Sequence, residues 1–261
     1  MDFKYILFEV KDNIGIITIN IPERLNPINI DVEMEILDAF KEVEAREDIK
    51  AAIITGAGDK AFSAGADIKP YLTMDLPQSF SYLKKLHDAE WYIETLSKPT
   101  IAAINGLCLG GGFELALGCT FRFASEKAKM GLPEVNVGCI PGNGGIQRLS
   151  RQIGKSRAIW YLLTGEFFGA KEALEWGIVQ KVVPQAELMD ACIDFLKNNL
   201  LKKSPTAIWA IRKSLQLGME MDLKTASELD LNLESICFAT EDFREGATAF
   251  MEKRPAVYKG K

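Results

Sequence analysis

Short β-branched runs alternate with amphipathic segments through about residue 185, and the chain beyond that, to Lys253, is nearly all helical. That order points to an α/β core carrying a helical appendage. Residues 5–10 and 14–20 are β-rich and flank Lys11-Asp12-Asn13, turn chemistry that predicts a hairpin. Val32, Ile36, Phe40 and Val43 recur at helical spacing behind Asp31, which can cap that helix. A short buried strand is expected over 51–55, ended by Gly56-Ala57-Gly58, and a long helix after Pro77. Further strands are expected over 100–104, broken by Asn105-Gly106, and over 121–124, then a loop over 138–145 and a helix from 147. No linker rich in Pro, Gly or Ser divides the chain, so the boundary is soft. We place a core over 1–200 and a helical region over 201–261.

At 261 residues and 48% hydrophobic, the chain can bury a sizeable core. Its net charge of −5 argues against nucleic acid as a partner, although a local basic patch can still hold a phosphate. The five cysteines form no C-x-x-C pair and lie mostly in apolar stretches, so they read as reduced core residues. His87 is the only histidine. A zinc site and a histidine-based nucleophile triad are therefore not expected, and His87 reads as a surface or half-buried imidazole. The N-terminal residues show no basic leader with an apolar stretch behind it, and no run approaches the ~20 apolar residues of a membrane span. The expectation is a soluble cytoplasmic protein with no membrane partner.

Three segments carry chemistry. Gly110-Gly111-Gly112 opens a helix, where free N–H groups attract negative charge, and Glu114 follows about one turn in. The same glycines could serve close helix–strand packing alone. Ser63-Ala64-Gly65-Ala66-Asp67-Ile68-Lys69 is a small-residue turn able to present a second backbone amide. Pro133-Glu134 supplies a second carboxylate. Two amides fit an oxyanion and two carboxylates fit a water, the equipment for adding or removing water beside a polarised carbonyl. At Gly111 we expect backbone to meet that oxygen, with no room for a Cβ.

These segments resemble the crotonase (enoyl-CoA hydratase/isomerase) superfamily. The likeness rests on residues 63–68, Asn105-Gly106 with Gly110-Gly111-Gly112 and Glu114-Leu115, Pro133-Glu134, and residues 140–149. It extends from Ile21-Pro22-Glu23-Arg24-Leu25-Asn26 to Phe250-Met251-Glu252-Lys253-Arg254. The resemblance implies a spiral of repeated β-β-α units, a C-terminal helical region for trimer contacts, and a homohexamer built as a dimer of trimers. It implies that the Ala66 and Gly111 amides hold a thioester oxygen. Arg24, Ala64, Gly65, Asp67, Ile68, Lys69 and Gly110 would bind acyl-CoA, with Phe250 and Lys253 reaching it from a neighbouring subunit. Gly142 would shape the water site. No separate cofactor and no metal is implied, since coenzyme A is part of the substrate.

Both glutamate positions are filled, which in this family is the hydratase pattern. The implied reaction is syn hydration of a 2-enoyl-CoA, with Glu114 as base on the water and Glu134 delivering a proton to C2. Another reaction of the superfamily (hydration of a cyclic dienoyl-CoA, ring hydrolysis or a double-bond shift) stays open, as does a non-catalytic acyl-CoA binder. The chain departs from the family's pattern at Asn20-Ile21-Pro22 and Asn26-Pro27-Ile28, and Asn136 and Asn143 make the active-site loop more polar.

Overall fold

The structure, a computed structural model, describes residues 3–261. Met1 and Asp2, part of the N-terminal stretch read above, lie outside the described residues. The chain divides into two compact units. One runs to Leu96 and resumes over Thr100–Cys192; the other holds Ser97–Pro99 and Ile193–Lys261.

The first unit repeats one motif four times. Strands β1 (Ile6–Lys11) and β2 (Ile14–Ile19) precede helix α1 (Ile30–Ala45). β3 (Ala51–Gly56) and β4 (Ala61–Ser63) precede α2 (Leu76–Thr95). β5 (Thr100–Ile104) and β6 (Leu107–Leu109) precede α3 (Gly111–Gly118), and β7 (Phe121–Ser125) and β8 (Lys129–Gly131) precede α4 (Gly145–Ile153). Then come α5 (Lys155–Thr164), β9 (Phe168–Gly169), α6 (Ala170–Glu175), β10 (Lys181–Val183) and α7 (Leu188–Asn198). The division between the units falls within α7, between Cys192 and Ile193.

From the second repeat onward, the first strand of each pair joins one sheet and the second joins another. The larger sheet has the order β1-β2-β3-β5-β7-β10, antiparallel only at the β1–β2 hairpin. The smaller has the order β4-β6-β8-β9, with β4, β6 and β8 parallel. All six residues of β3 and all five of β5 are buried, as expected for parallel strands covered on both faces. α1 turns Val32, Ile36, Phe40 and Val43 into the core, the stripe its spacing predicts. Its cap is Asn29, whose side chain accepts from the Val32 N–H, not Asp31. Asp31 sits in the first turn, where the helix dipole favours an acid without a capping bond.

Two buried asparagines fix the corner between the sheets. Asn26 donates to the Ala57 and Ala61 carbonyls and accepts from the Ile21 N–H. Asn105 donates to the Gly56 and Gly58 carbonyls. Buried Arg122 donates to the Ala116, Leu117 and Cys119 carbonyls at the end of α3 and to Ile178. The Ala116 carbonyl also accepts from the Cys119 N–H, and the guanidinium adds donors to the carbonyls at this helix end, fixing where α3 ends and hence how Glu114 is presented.

In the second unit, α8 (Pro205–Gly218) packs against α9 (Leu223–Phe238), and α10 (Glu241–Glu252) follows. Ser204, Asp222 and Thr240 cap these three helices through their side chains. Arg254 pairs with Glu245 at 2.7 Å behind α10. Among the described residues, no helix is long and apolar enough to cross a membrane, and no cluster of His, Cys, Asp and Glu could hold a metal ion. Cys108, Cys119 and Cys192 are buried as expected. Cys139 is not: it lies exposed on the loop after Glu134, where no strand or helix carries it into the core.

Candidate active site

Because β4, β6 and β8 run parallel and side by side, the segments that follow them emerge together. Residues 64–69 follow β4, Gly110 and Gly111 follow β6, and Pro133-Glu134 follow β8. They border a cavity of about 520 Å³ in the first unit. Its wall includes Ala66, Ile68, Gly111, Glu114, Glu134 and Gly142 from the sequence-based set. Ile28, Leu72, Leu83, Leu86, Val137 and Ile140 make most of the rest apolar.

Two backbone donors face this space. The Ile28 N–H donates to the Gly65 carbonyl and the Asp67 N–H donates to the Ile28 carbonyl. Residue 66 is thus bridged on one edge, and its own N–H points away from that bridge. Gly111 is the first residue of α3, where an N–H has no intrahelical acceptor. Among the described residues neither amide meets an acceptor. A Cβ built on Gly111 would lie 3.9 Å from the Ala66 nitrogen, so the two amides are neighbours. That distance is ordinary contact, which corrects the expectation that a side chain has no room there. The closed positions are its neighbours: Gly110, with φ +52 and Glu134 Oε1 3.1 Å from a built Cβ, and Gly112, where a built Cβ would lie 2.5 Å from Ser63 Cβ.

The carboxylates are held differently. Glu114 is 3% exposed, and its Oε1 accepts from the Asn143 and Gly145 N–H groups, both at 2.9 Å. Burial pushes its pKa up, and the two amides and Arg148 oppose that rise. Gly145 admits this arrangement because any Cβ would lie 2.8 Å from Glu114 Oε1. Glu134 begins a 3-10 turn, and its buried Oε2 has no hydrogen-bond partner among the described residues. Burial, then the Glu114 charge, raises Glu134 to about 7.

Other expected residues fall nearby. Arg24 and Asp67 pair at 2.7 Å, and the guanidinium holds the Asp67 carboxyl below the usual range. Ala64 is exposed and its N–H donates to the Leu25 carbonyl; the Gly65 N–H donates to Ser63 Oγ. Lys69 is exposed at the start of a 3-10 turn, Lys69–Thr73. Phe250, 86% exposed, and Lys253, which ends α10 at φ +56, belong to the second unit. His87 is an exposed side chain beside Asp88, away from the cavity lining.

The residue-by-residue reading missed two further carboxyls in the wall, Glu33 and Glu90, each 2% exposed. A signal was present. Glu33 precedes Ile36 by three and Phe40 by seven, and Glu90 stands at the same helical spacing from Leu83, Leu86 and Ile93. Each acid occupies an apolar-stripe position. Arg148, close to this group, donates to Glu94 and to the Asn143 carbonyl, and its Nη1 lies 3.6 Å from Glu90 Oε2.

Burial first, and then the Glu114 charge, pushes Glu33 up to about 8. A carboxyl raised on folding stabilises the native state fully below its unfolded pKa near 4.5, and that contribution is lost as pH climbs through about 8. Thermal melts at stepped pH should therefore show stability falling across this window. In Glu33→Gln much of the slope should vanish, and an unchanged slope would assign the titration to other groups.

The strand–strand–helix repeat, with its small sheet opening onto a cavity of paired amides and carboxyls, is the crotonase-like class of fold. Residues 9–261 match the sequence model of the enoyl-CoA hydratase/isomerase family, and the chain belongs to that family. Among its relatives are a short-chain-enoyl-CoA hydratase of Clostridium acetobutylicum, 37% identical with 97% of each chain covered, and a crotonyl-CoA hydratase of Syntrophomonas wolfei, 38% identical over 99% of each. The crystal structure of an enoyl-CoA hydratase from Bacillus anthracis superposes with a TM-score of 0.93 at 34% identity, over 99% of this chain and 100% of that one.

Proposed function

We propose that this chain hydrates a 2-enoyl-CoA to the 3-hydroxyacyl-CoA by syn addition of water. One observation carries the reading: two acceptor-free amides, Ala66 and Gly111, and two carboxyls, the buried Glu114 and the half-buried Glu134 with its buried, unpartnered Oε2, border one cavity. The thioester oxygen sits between the two N–H groups, which stabilise the charge it gains as water attacks C3. Glu114, aimed by the Asn143 and Gly145 amides, takes a proton from that water. Glu134 delivers a proton to C2. Arg24 and Lys69 meet the phosphates of coenzyme A, together with Lys253 of a neighbouring subunit. The exposed apolar side chains of α8–α10, including Ile211, Leu215, Leu231 and Phe250, favour assembly into trimers and a hexamer.

The direct test mixes purified protein with crotonyl-CoA and follows the conjugated-thioester absorbance. Its loss, with a 3-hydroxyacyl-CoA product, supports the reading; a stable absorbance under all conditions sinks it.

The pH profile follows from the roles. Hydration needs Glu134 protonated and Glu114 ionised. Since Glu134 is raised to about 7, kcat/KM for hydration should fall above that pH, and the Glu114 ionisation should set the acid limb. Glu134→Gln should abolish the alkaline limb along with most of the activity. An alkaline limb that persists in this variant would assign it to another group.

A further inference from the structure

Glu33 lines the cavity from the first turn of α1, yet its Oε1 makes no hydrogen bond, and no described residue donates to its carboxyl. Glu90, from α2, lines the same cavity. Its Oε1 accepts from Asn143 Nδ2 at 3.3 Å, while its Oε2 makes no hydrogen bond and lies 3.6 Å from Arg148 Nη1. Leaving a buried polar group unsatisfied destabilises a fold. For a plain hydrocarbon acyl chain the arrangement is doubly unfavourable, because the chain would seal these oxygens from water and offer them nothing. Leucine at either position would pack against such a chain without that cost. A hydroxyl reverses the balance: it donates to one carboxyl oxygen and accepts from a carboxyl that holds its proton.

We infer that Glu33 and Glu90 form a specificity element: the acyl group taken by this cavity carries a hydroxyl beyond its double bond, and the Glu33 carboxyl binds that hydroxyl. The inference rests on the acyl-thioester reading above and narrows it to a hydroxylated class of substrate. Burial holds both carboxyls toward their neutral forms, and the charged neighbours that face them are Glu114 and Arg148. A neutral acid pair suits an alcohol better than a cation.

The test separates binding from turnover. Calorimetric affinities are measured for short saturated acyl-CoAs that differ only in a hydroxyl, moved along the chain beyond C3, with amine-bearing analogues of the same lengths. The wild-type protein should bind one hydroxylated chain about tenfold or more tighter than its plain counterpart, because the plain chain strands the carboxyl. Glu33→Leu should reverse that order, and Glu33→Gln should keep part of it. Equal or tighter binding of plain chains at every length overturns the inference, as does a preference that survives Glu33→Leu or tighter binding of an amine. The wild-type panel decides even if a variant fails to fold. Hydration of crotonyl-CoA, followed in the same preparation, is scored separately. Turnover without a hydroxyl preference ends this inference and spares the hydratase reading, whereas a hydroxyl preference without turnover does the reverse.

Discussion

Glu114→Gln and Glu134→Gln are each expected to lower kcat for crotonyl-CoA hydration by ~10²–10⁴-fold, the usual contribution of a positioned acid or base. Acyl-CoA binding should survive in both. Glutamine keeps the shape and removes the proton exchange. At position 114 it also changes the supporting bonds: Oε1 accepts two backbone N–H groups at 2.9 Å, and an amide oxygen can still accept both. The loop over 142–145 should therefore stay in place, and the loss should appear in kcat rather than KM. At position 134 the side chain has no comparable anchor, and its buried Oε2 has no hydrogen-bond partner among the described residues. Glutamine there even relieves a buried acid, so Glu134→Gln should be at least as thermally stable as wild type. Steady-state kinetics with calorimetry of a saturated acyl-CoA checks both halves. Near-normal turnover in either variant would remove that glutamate from the mechanism.

The large-scale fold was legible because period and length carried it. The fully buried runs of β3 and β5, the stripe on α1, and Pro77 in the first turn of α2 are strong local signals. The small sheet was not legible. β4, β6 and β8 are three residues each, too short to show alternation, and their strand character comes from pairing with one another across long stretches of chain. Yet this sheet aligns the three segments that border the cavity. The glycine-rich segments and the two glutamates could be named from sequence, and their convergence was expected from their combination and the family resemblance; the sheet that brings it about was not. Asn143 and Gly145 were invisible as supports of Glu114 because they act through backbone N–H groups, which any residue but proline possesses. Glu33 and Glu90 were passed over for a different reason. Charged residues are assigned to solvent by default, and the helical spacing that marks them as inward-facing was counted for apolar residues only.

Gly111→Pro is expected to cost about 2.7–4 kcal/mol in transition-state stabilisation, the loss seen when one oxyanion donor is removed. The substitution deletes the N–H itself, which a side-chain change cannot do. The local structure tolerates it. Gly111 is the first residue of α3, a position where proline removes no intrahelical bond. Gly110 before it sits at φ +52 and ψ −131, the mirror image of the extended region, so it meets the restriction that proline places on its predecessor. The confounding effect is bulk, since the ring carbon replacing the amide hydrogen enters the space proposed for the thioester oxygen. Gly111→Ala separates the two effects. It keeps the N–H and adds a Cβ whose nearest neighbour is the Ala66 nitrogen at 3.9 Å, so it should retain most of the wild-type kcat. A proline variant that folds and binds coenzyme A but hydrates slowly, beside an active alanine variant, would locate the catalytic effect in the amide. A folded proline variant with full activity would leave the triple glycine as a packing device, and the charge on the thioester oxygen would then need another donor.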